Sequence, residues 1–459
     1  NLLSIKPISI QVNQIVRSIL LLSVMVFLAF HAAAQQSKQN YEIMKLIRQE
    51  KFELVLPGAM RDNNIDIWIH VVESGRMDPL ALDLGGWTEY RAWEPVCYYV
   101  FVDYGDRVQR IILGGEDIDG LYDYQGSHSE LLNVIERRDP KVIAVNMSES
   151  RGIANGLSHT EYLRLIDTLG DKYGGRLTSA EPLITDFRVR RVQREILAFS
   201  DALEIQRQVM GASFKSIEPG KTTREEAGWW AADRLLEHGI GPAYHAATLF
   251  LPYMPSVQTR DNSNSNLLER GSLIAWDMGV AYLNFATDIK RHGYILAEGE
   301  TDMPAGLKRA WESGKKIRSI LKRKVVVGRT AGETHEIMVA ALEAAGFVST
   351  PSDDRSSQYR DLMLKLSDSN KVGFTIDFHT TGNTSVSDAA LGAQMAPWRS
   401  DRAHLTIQPN HIFAFEFFMN AWIPEWERRI TIGFEENAIV TNHGVEYLSP
   451  PEEEIVVLR

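Results

Sequence analysis

The chain has 459 residues, of which 44% are hydrophobic and 24% charged, and its formal net charge is −11. This is the composition of a folded protein of about two or three domains, and it lacks the basic surplus typical of nucleic-acid-binding proteins. A single cysteine, Cys97, excludes an intramolecular disulfide and any site built from several thiolates.

The N-terminal segment has the pattern of a secretory signal peptide. Arg17 precedes the apolar run Ile19–Phe30, and three alanines ending at Ala34 provide a small-residue cleavage site. We therefore expect residues 1–34 to be removed and the protein to be exported, either to a periplasm or out of the cell. The alternative is an uncleaved N-terminal membrane anchor. No second long apolar stretch follows, so we expect no membrane contact after cleavage.

Residues 40–185 alternate helical and strand patterns, which indicates an α/β domain. Helical spacing extends from Tyr41 to Asn63 and again from Thr160 to Leu169. Buried strands are predicted at Asp66–Val72, Val96–Tyr104, Val108–Leu113 and Lys141–Asn146.

From residue 186 to 459 the pattern changes to that of an α+β domain with a curved antiparallel sheet covered by helices. One long amphipathic helix is predicted over Val189–Val209, and a second follows an N-cap at Thr223 and ends before Gly239. Two more helices are predicted over 304–320 and 332–345. Strands are predicted at Leu273–Asp277, Tyr282–Asp288, Phe374–Phe378, Ile412–Met419 and Ile430–Val440.

Two aspartates mark the first of these strand pairs. Asp277 lies at the end of an apolar strand, a turn with Gly279 follows, and Asp288 lies eleven positions later on the returning strand. A hairpin is expected to bring the two carboxylates to neighbouring positions, where they repel unless a proton or a cation lies between them. A turn-forming aspartate and a surface aspartate are the alternative explanation.

Two glutamates lie inside later apolar strands. Glu416 is surrounded by the run Ile412–Met419, and Glu435 lies at the centre of Ile430–Val440. Burying a carboxylate is costly unless it is paired with a cation or coordinates a metal. The sequence leaves both options open, because Arg428 and Arg429 are available as ion-pair partners.

Taken together, the order Asp277, Gly279, Asp288, Glu416 and Glu435 resembles the pita-bread metallopeptidases, which include aminopeptidase P, prolidase and methionine aminopeptidase. The resemblance covers nearly the whole chain after residue 34. Residues 40–185 look like the creatinase-type N-terminal domain of aminopeptidase P and prolidase. Further matching segments are Ile143–Asn146, Pro219–Thr222 and Gly328–Thr330.

The resemblance implies that Asp277, Asp288, Glu416 and Glu435 bind two divalent metal ions, with Mn, Co, Zn and Fe all compatible with such ligands. It implies catalytic roles for Glu416, as a proton carrier, and for His379, as a residue that contacts substrate. It also implies a peptide substrate and a possible homodimer.

The match departs from the family at its histidine ligand. That position falls on Asn383 or Val386, depending on where the gap is placed, and neither replaces an imidazole. His245, His404 and His411 are the other histidines considered, and the segment Ser256–Asn266, where relatives place a further histidine, has none.

The first functional hypothesis is therefore an exported, metal-dependent aminopeptidase of the Xaa-Pro aminopeptidase or prolidase type, in which a metal-activated water hydrolyses the N-terminal peptide bond. An inactive or repurposed homologue that binds peptide or metal is the second hypothesis. A metal-free creatinase-like amidinohydrolase is the third. Retention of the four acids favours metal.

Overall fold

The computed structural model describes residues 36–76, 78, 80–85, 94–242, 266–350, 361, 362, 364, 366, 370–382 and 391–459. The chain divides into two units, Asn1–Ile47 and Arg48–Arg459. Residues 36–47 are helical in the first unit, and residues 48–54 are helical in the second. Within the described ranges, no helix is both long and apolar enough to cross a membrane.

The N-terminal part of the second unit is built on a six-stranded mixed sheet. Its strands are β1 (Ile67–Glu73), β2 (Val96–Asp103), β3 (Val108–Leu113), β4 (Tyr124–Gly126), β5 (Ile143–Val145) and β6 (Leu177–Ser179), in the spatial order β4-β3-β2-β1-β5-β6. The pairs β1–β5 and β5–β6 are parallel, as expected where helices connect the strands. Every strand predicted in this region is present, and Cys97 is buried in β2.

Helices lie between and after these strands. They are α1 (Leu56–Asp62), α2 (Ala81–Leu84), α3 (Leu131–Arg138), α4 (His159–Gly174), α5 (Glu181–Val189), α6 (Gln193–Ser216) and α7 (Arg224–Glu237). The single helix predicted over Val189–Val209 is wrong: α5 ends at Val189, Arg190 is extended, and α6 begins at Gln193. Thr223 caps α7 as predicted, in a reciprocal pair with Glu226.

The C-terminal part contains three sheets whose strands lie close around the acidic residues. The strands are β7 (Gly241–Pro242), β8 (Leu273–Met278), β9 (Val280–Tyr282), β10 (Phe285–Ala286), β11 (Ile289–Ile295), β12 (Val348–Ser349), β13 (Gly373–Ile376), β14 (His379–Thr380), β15 (His411–Ile423), β16 (Arg428–Thr441), β17 (Gly444–Tyr447) and β18 (Val456–Leu458). They form β10-β9-β7, β18-β11-β8 and β12-β13-β15-β16-β17, with β14 also paired to β15.

Most strand pairs here are antiparallel, as predicted, and two pairs, β12–β13 and β11–β18, are parallel. The predicted strand Tyr282–Asp288 is corrected. The chain leaves β8 through the short strands β9 and β10, and the returning ladder begins only at Ile289. Asp288 therefore lies immediately before β11 rather than inside a strand.

Two helices, α8 (Ala305–Lys322) and α9 (Ala331–Ala344), cover the large sheet. Their buried residues share one hydrophobic core with β13, β15 and β16. Trp311 of α8 packs on Phe434 of β16 with ring centroids 4.5 Å apart, and Phe434 stacks on Phe417 at 5.0 Å. This packing fixes the sheet that carries both glutamates.

Close helix–sheet approach depends on Gly314 of α8, where an added Cβ would lie 2.1 Å from the ring of Phe434. We expect Gly314→Ala to lower the free energy of unfolding by about 1–3 kcal/mol, because the stacked ring must move. Chemical denaturation measures the change. Gly211→Ala in α6 is the matched control, since a Cβ there meets nothing within 4 Å. It should stabilise the protein by about 0.5–1 kcal/mol. Equal effects at both positions would contradict this account of the packing.

Candidate active site

The four acids predicted from the sequence converge. Asp277 on β8 is directly opposite Lys290 of β11, and Asp288 precedes Lys290 by two positions. Because side chains alternate along a strand, Asp288 and Lys290 are directed to the same face. Glu416 of β15 and Glu435 of β16 are direct partners in the neighbouring sheet. We call Asp277, Asp288, Glu416 and Glu435 the acidic centre.

A lysine lies inside this centre. The Nζ atom of Lys290 is 2.6 Å from Glu416 Oε1, 2.6 Å from Glu435 Oε2 and 3.0 Å from Asp277 Oδ2. The lysine side chain is only 4% exposed. Three of the four carboxylates therefore each give one oxygen to the same ammonium group.

His379 occupies the other side of the centre. It lies on β14 opposite Ala414, two residues from Glu416. Its Nε2 atom is 3.5 Å from Glu416 Oε2, 3.5 Å from Glu435 Oε1 and 3.9 Å from Asp288 Oδ2. The histidine predicted to contact substrate is thus a buried member of the same cluster.

These contacts set the protonation of the centre. Burial and then the charge of Glu416 raise the pKa of Glu435 to about 7. Burial acts in the same direction on Glu416, but Lys290 and His379 outweigh it and lower the pKa of Glu416 to about 2. Burial and the charges of Glu435 and Asp277 raise the pKa of Asp288 well above its usual range. Glu435, at 1% side-chain exposure against 7% for Glu416, is therefore more readily protonated than Glu416 and is partly protonated at neutral pH.

His379 is the second cation of the cluster. Burial alone would lower its pKa, but contacts with Glu416 and Glu435 raise it well above 6.5.

A further carboxylate, Asp377, lies beside the centre and accepts a 3.1 Å hydrogen bond from Arg399 Nε. Burial and then the charge of Glu416 raise the pKa of Asp377.

Two amide side chains hold the loop that carries Asp288. Asn437 of β16 accepts a hydrogen bond from the Asp288 backbone N–H at 2.9 Å and donates one to its carbonyl at 2.7 Å. Gln206 of α6 donates to the Met278 carbonyl and accepts from Thr287 Oγ1 at 2.5 Å. The position of Asp288 is therefore fixed from the large sheet and from the long helix together.

The expected pair of divalent ions does not fit these residues. Such ions need carboxylate oxygens at about 2.0–2.2 Å with free lone pairs. Lys290 already binds one oxygen each of Asp277, Glu416 and Glu435, and an ion at those oxygens would lie against the ammonium. All four acids are present, but three of them each use one oxygen in an ion pair with Lys290 and do not leave it free for a metal ion.

A single divalent ion does fit. One oxygen each of Asp288 and Glu435 and a ring nitrogen of His379 lie within 4.8 Å of one another. In the described part of the chain, Asp288 Oδ1 and Glu435 Oε1 are buried and have no hydrogen-bond partner. These three residues provide nitrogen and oxygen donors suited to a first-row transition metal.

Three residues of the site, Lys290, Asn437 and Gln206, are not among the residues predicted from the sequence. Lys290 carried a usable signal, since it lies two positions after Asp288 in an otherwise strand-like run. The two glutamates do form ion pairs, which was the predicted alternative to metal binding, but their partner is Lys290 and not Arg428 or Arg429. Arg429 instead donates to the Asn420 carbonyl, and Arg428 lies over the Trp426 ring.

The remaining histidine candidates do not join the centre. His404 is exposed, and His411 is buried beside Phe413, with burial and then Arg191 lowering its pKa to about 3. His245, Asn383, Val386 and residues 256–265 lie outside the described residues.

Comparison with known proteins gives a family match over residues 198–442, more than half of the chain, to the model described as metallopeptidase family M24. A search of curated proteins gives no match.

Solved structures with a similar fold are peptidases. An X-Pro aminopeptidase from Thermotoga maritima aligns with a TM-score of 0.59 at 15% identity, over 87% of this chain and 100% of the other. An Xaa-Pro dipeptidase from Bacillus anthracis aligns with a TM-score of 0.57 at 14% identity, over 90% and 100%. A variant of Escherichia coli aminopeptidase P aligns with a TM-score of 0.55 at 16% identity, over 88% and 94%. The predicted α/β and pita-bread α+β architecture is confirmed.

The Asn437 clamp yields a direct prediction. Asn437→Ala leaves two buried backbone groups of Asp288 without partners, and we expect the free energy of unfolding to fall by about 2–4 kcal/mol. Denaturant titration measures it. Asn133→Ala, at an exposed position of α3, is the control and should change stability by less than about 0.5 kcal/mol. A neutral Asn437 variant would show that the clamp does not hold Asp288.

A second prediction concerns pH. The pKa of Glu435 is about 7 in the folded protein against an ordinary 4.5, so the folded state binds the extra proton. The stabilisation from this proton is present below about pH 4.5 and is lost as the pH rises through 7. Glu435→Gln removes the titration, so its unfolding free energy in EDTA should fall less between about pH 5 and pH 8 than that of the unmodified protein.

The matched control for this pH series is Glu343→Gln, which changes an exposed glutamate of α9. It should follow the unmodified protein across the range. A Glu435→Gln profile as steep as that of the control would contradict a raised pKa at Glu435.

Proposed function

The chain belongs to metallopeptidase family M24, and from this premise we propose that it is an exported aminopeptidase that removes N-terminal residues from peptides, preferentially before proline. The observation that carries the proposal is the convergence of Asp277, Asp288, Glu416, Glu435 and His379 in one cluster, in which only Asp277 is substantially exposed. The preference for proline is supported by the likeness to an X-Pro aminopeptidase and an Xaa-Pro dipeptidase. Export is supported by the signal-peptide pattern of residues 1–34.

Asp288, His379 and Glu435 are the residues that would hold one divalent ion, whose chemistry is to acidify a water molecule and polarise a carbonyl group. Glu416 keeps the role of proton carrier. Its Oε1 atom is held by Lys290 at 2.6 Å, and its Oε2 atom faces His379. Its pKa of about 2 means that the carboxylate is ionised at neutral pH in the metal-free centre.

An aminopeptidase must also recognise a free amino terminus. Asp277 suits this task, because its side chain is 38% exposed, against 11% for Asp288, 7% for Glu416 and 1% for Glu435. A carboxylate at the edge of the centre attracts a peptide ammonium group, whereas an acetylated terminus has no charge to offer. Lys290 binds only one of the two oxygens of Asp277.

A second candidate function is peptide binding without hydrolysis. The observation that favours it is Lys290, which takes up acceptors that the resemblance assigns to metal. Both candidates use the same site, so one set of measurements separates them.

The test uses the purified chain, treated with EDTA and then assayed with and without Mn²⁺ on an Xaa-Pro tripeptide. We expect release of the N-terminal residue with Mn²⁺, little release from the N-acetylated peptide, and a loss of at least about 100-fold in kcat/KM for Asp288→Asn. Asp302→Asn, at an exposed aspartate paired with Lys308, is the control and should keep full activity.

Two outcomes would count against hydrolysis at this site. Cleavage that survives both EDTA and Asp288→Asn would mean that other residues catalyse it. Saturable binding of the free tripeptide, with no release under any metal condition, would establish the second candidate instead.

A further inference from the structure

We propose that Lys290 is a built-in cation that takes the place of one divalent ion, so that the acidic centre accepts at most one metal ion and folds without any. The inference concerns how the centre is neutralised. It holds whether or not the protein hydrolyses peptides.

The first argument is register. Lys290 is the direct ladder partner of Asp277, and the same register places its ammonium between the paired glutamates Glu416 and Glu435. The next residue, Arg291, is directed to the opposite face and pairs with Glu436 Oε2 at 3.0 Å. The adjacent residues Lys290 and Arg291 therefore pair with the adjacent acids Glu435 and Glu436 on opposite faces of the sheet. The inward direction of Lys290 follows from the alternation of side chains along the strand.

The second argument is space. Gly433 of β16 is opposite Phe418, and an added Cβ at Gly433 would lie 3.2 Å from Cδ of Lys290 and 3.1 Å from the Phe418 ring. The aliphatic stem of the lysine therefore passes over a position that has no side chain. Its ammonium lies 5.7 Å from the centre of the Phe418 ring. The missing side chain at Gly433 therefore leaves room for the stem of Lys290.

The third argument is charge. The acidic centre has four carboxylates, three of which contact Lys290. With all four ionised and His379 neutral as a metal ligand, Lys290 and one divalent ion would leave a single negative charge uncompensated. A second ion would reverse the sign of the cluster and place two positive groups in contact. Like charges at contact distance in a buried site are strongly unfavourable.

The experiment measures metal stoichiometry in the absence of peptide. The full chain is stripped with EDTA, titrated with Mn²⁺ by calorimetry, and analysed for bound metal after removal of free ion. We expect no more than one Mn²⁺ per chain in the unmodified protein. Lys290→Thr, which removes the ammonium and leaves its acceptors free, should bind one more ion than the unmodified protein.

Thermal unfolding provides a second readout. In EDTA the unmodified protein should still unfold in one cooperative transition, because Lys290 neutralises the centre without metal. Lys290→Thr should have a lower Tm in EDTA than the unmodified protein, and Mn²⁺ should raise the Tm of this variant by more. Lys290→Arg keeps the charge and should retain the stoichiometry of the unmodified protein. Lys316→Thr on α8 is the matched surface control and should change neither quantity.

Two ions bound by the unmodified protein would overturn the inference even if the variants failed to fold. So would a folded Lys290→Thr variant with no additional ion. Because no substrate is present, these outcomes are separate from those of the aminopeptidase assay: a one-ion protein without turnover would leave this inference standing and remove the hydrolytic proposal.

Discussion

The pairing of Glu416 with Glu435 is the constraint on which the centre depends. Two carboxylates placed directly opposite each other on neighbouring strands repel, and burial removes the water that would weaken the repulsion. Such a pair persists only with a proton, a metal ion or a basic side chain between its members. In this protein the ammonium of Lys290 contacts both, and the remaining excess of negative charge is reduced by His379 and by the partial protonation of Glu435.

The surrounding fold serves to hold these charges at fixed distances. Asn437 ties the strand carrying Glu435 to the backbone of Asp288, and Gln206 secures the turn that precedes it. Behind the large sheet, α8 packs through the rings of Trp311 and Phe434, and α9 adds Met338 and Leu342 to the same close-packed core. The long strands β15 and β16 provide the register, and the hydrogen-bonded amides keep the smaller sheet aligned with it.

Much of this arrangement was predictable from the residues. Apolar runs that contain acids identified β8, β15 and β16 together with Asp277, Glu416 and Glu435, because a carboxylate in an apolar strand is costly to bury and therefore informative. Asp288 was predictable from its spacing after Asp277. The break between α5 and α6 was missed, since the helical periodicity of that segment continues through residues 190–192. The excursion through β9 and β10 was missed because Met278 and Thr287, at its two ends, are bound by Gln206, which is distant in sequence. The inward position of Lys290 depends on the ladder that pairs it with Asp277, and this register begins only after the excursion through β9 and β10.

Gly433 has a consequence for the residues that related sequences carry at this position and at that of Lys290. Its missing side chain leaves room for the stem of Lys290, so neither position is free to change alone: a larger residue at 433 would displace the lysine, and loss of the lysine would leave an unfilled gap beside Phe418. The two positions should therefore vary together among homologous sequences. Chains with lysine at the position of Lys290 should keep glycine at that of Gly433, and this covariation offers a way to recognise lysine-neutralised members of the family from sequence alone.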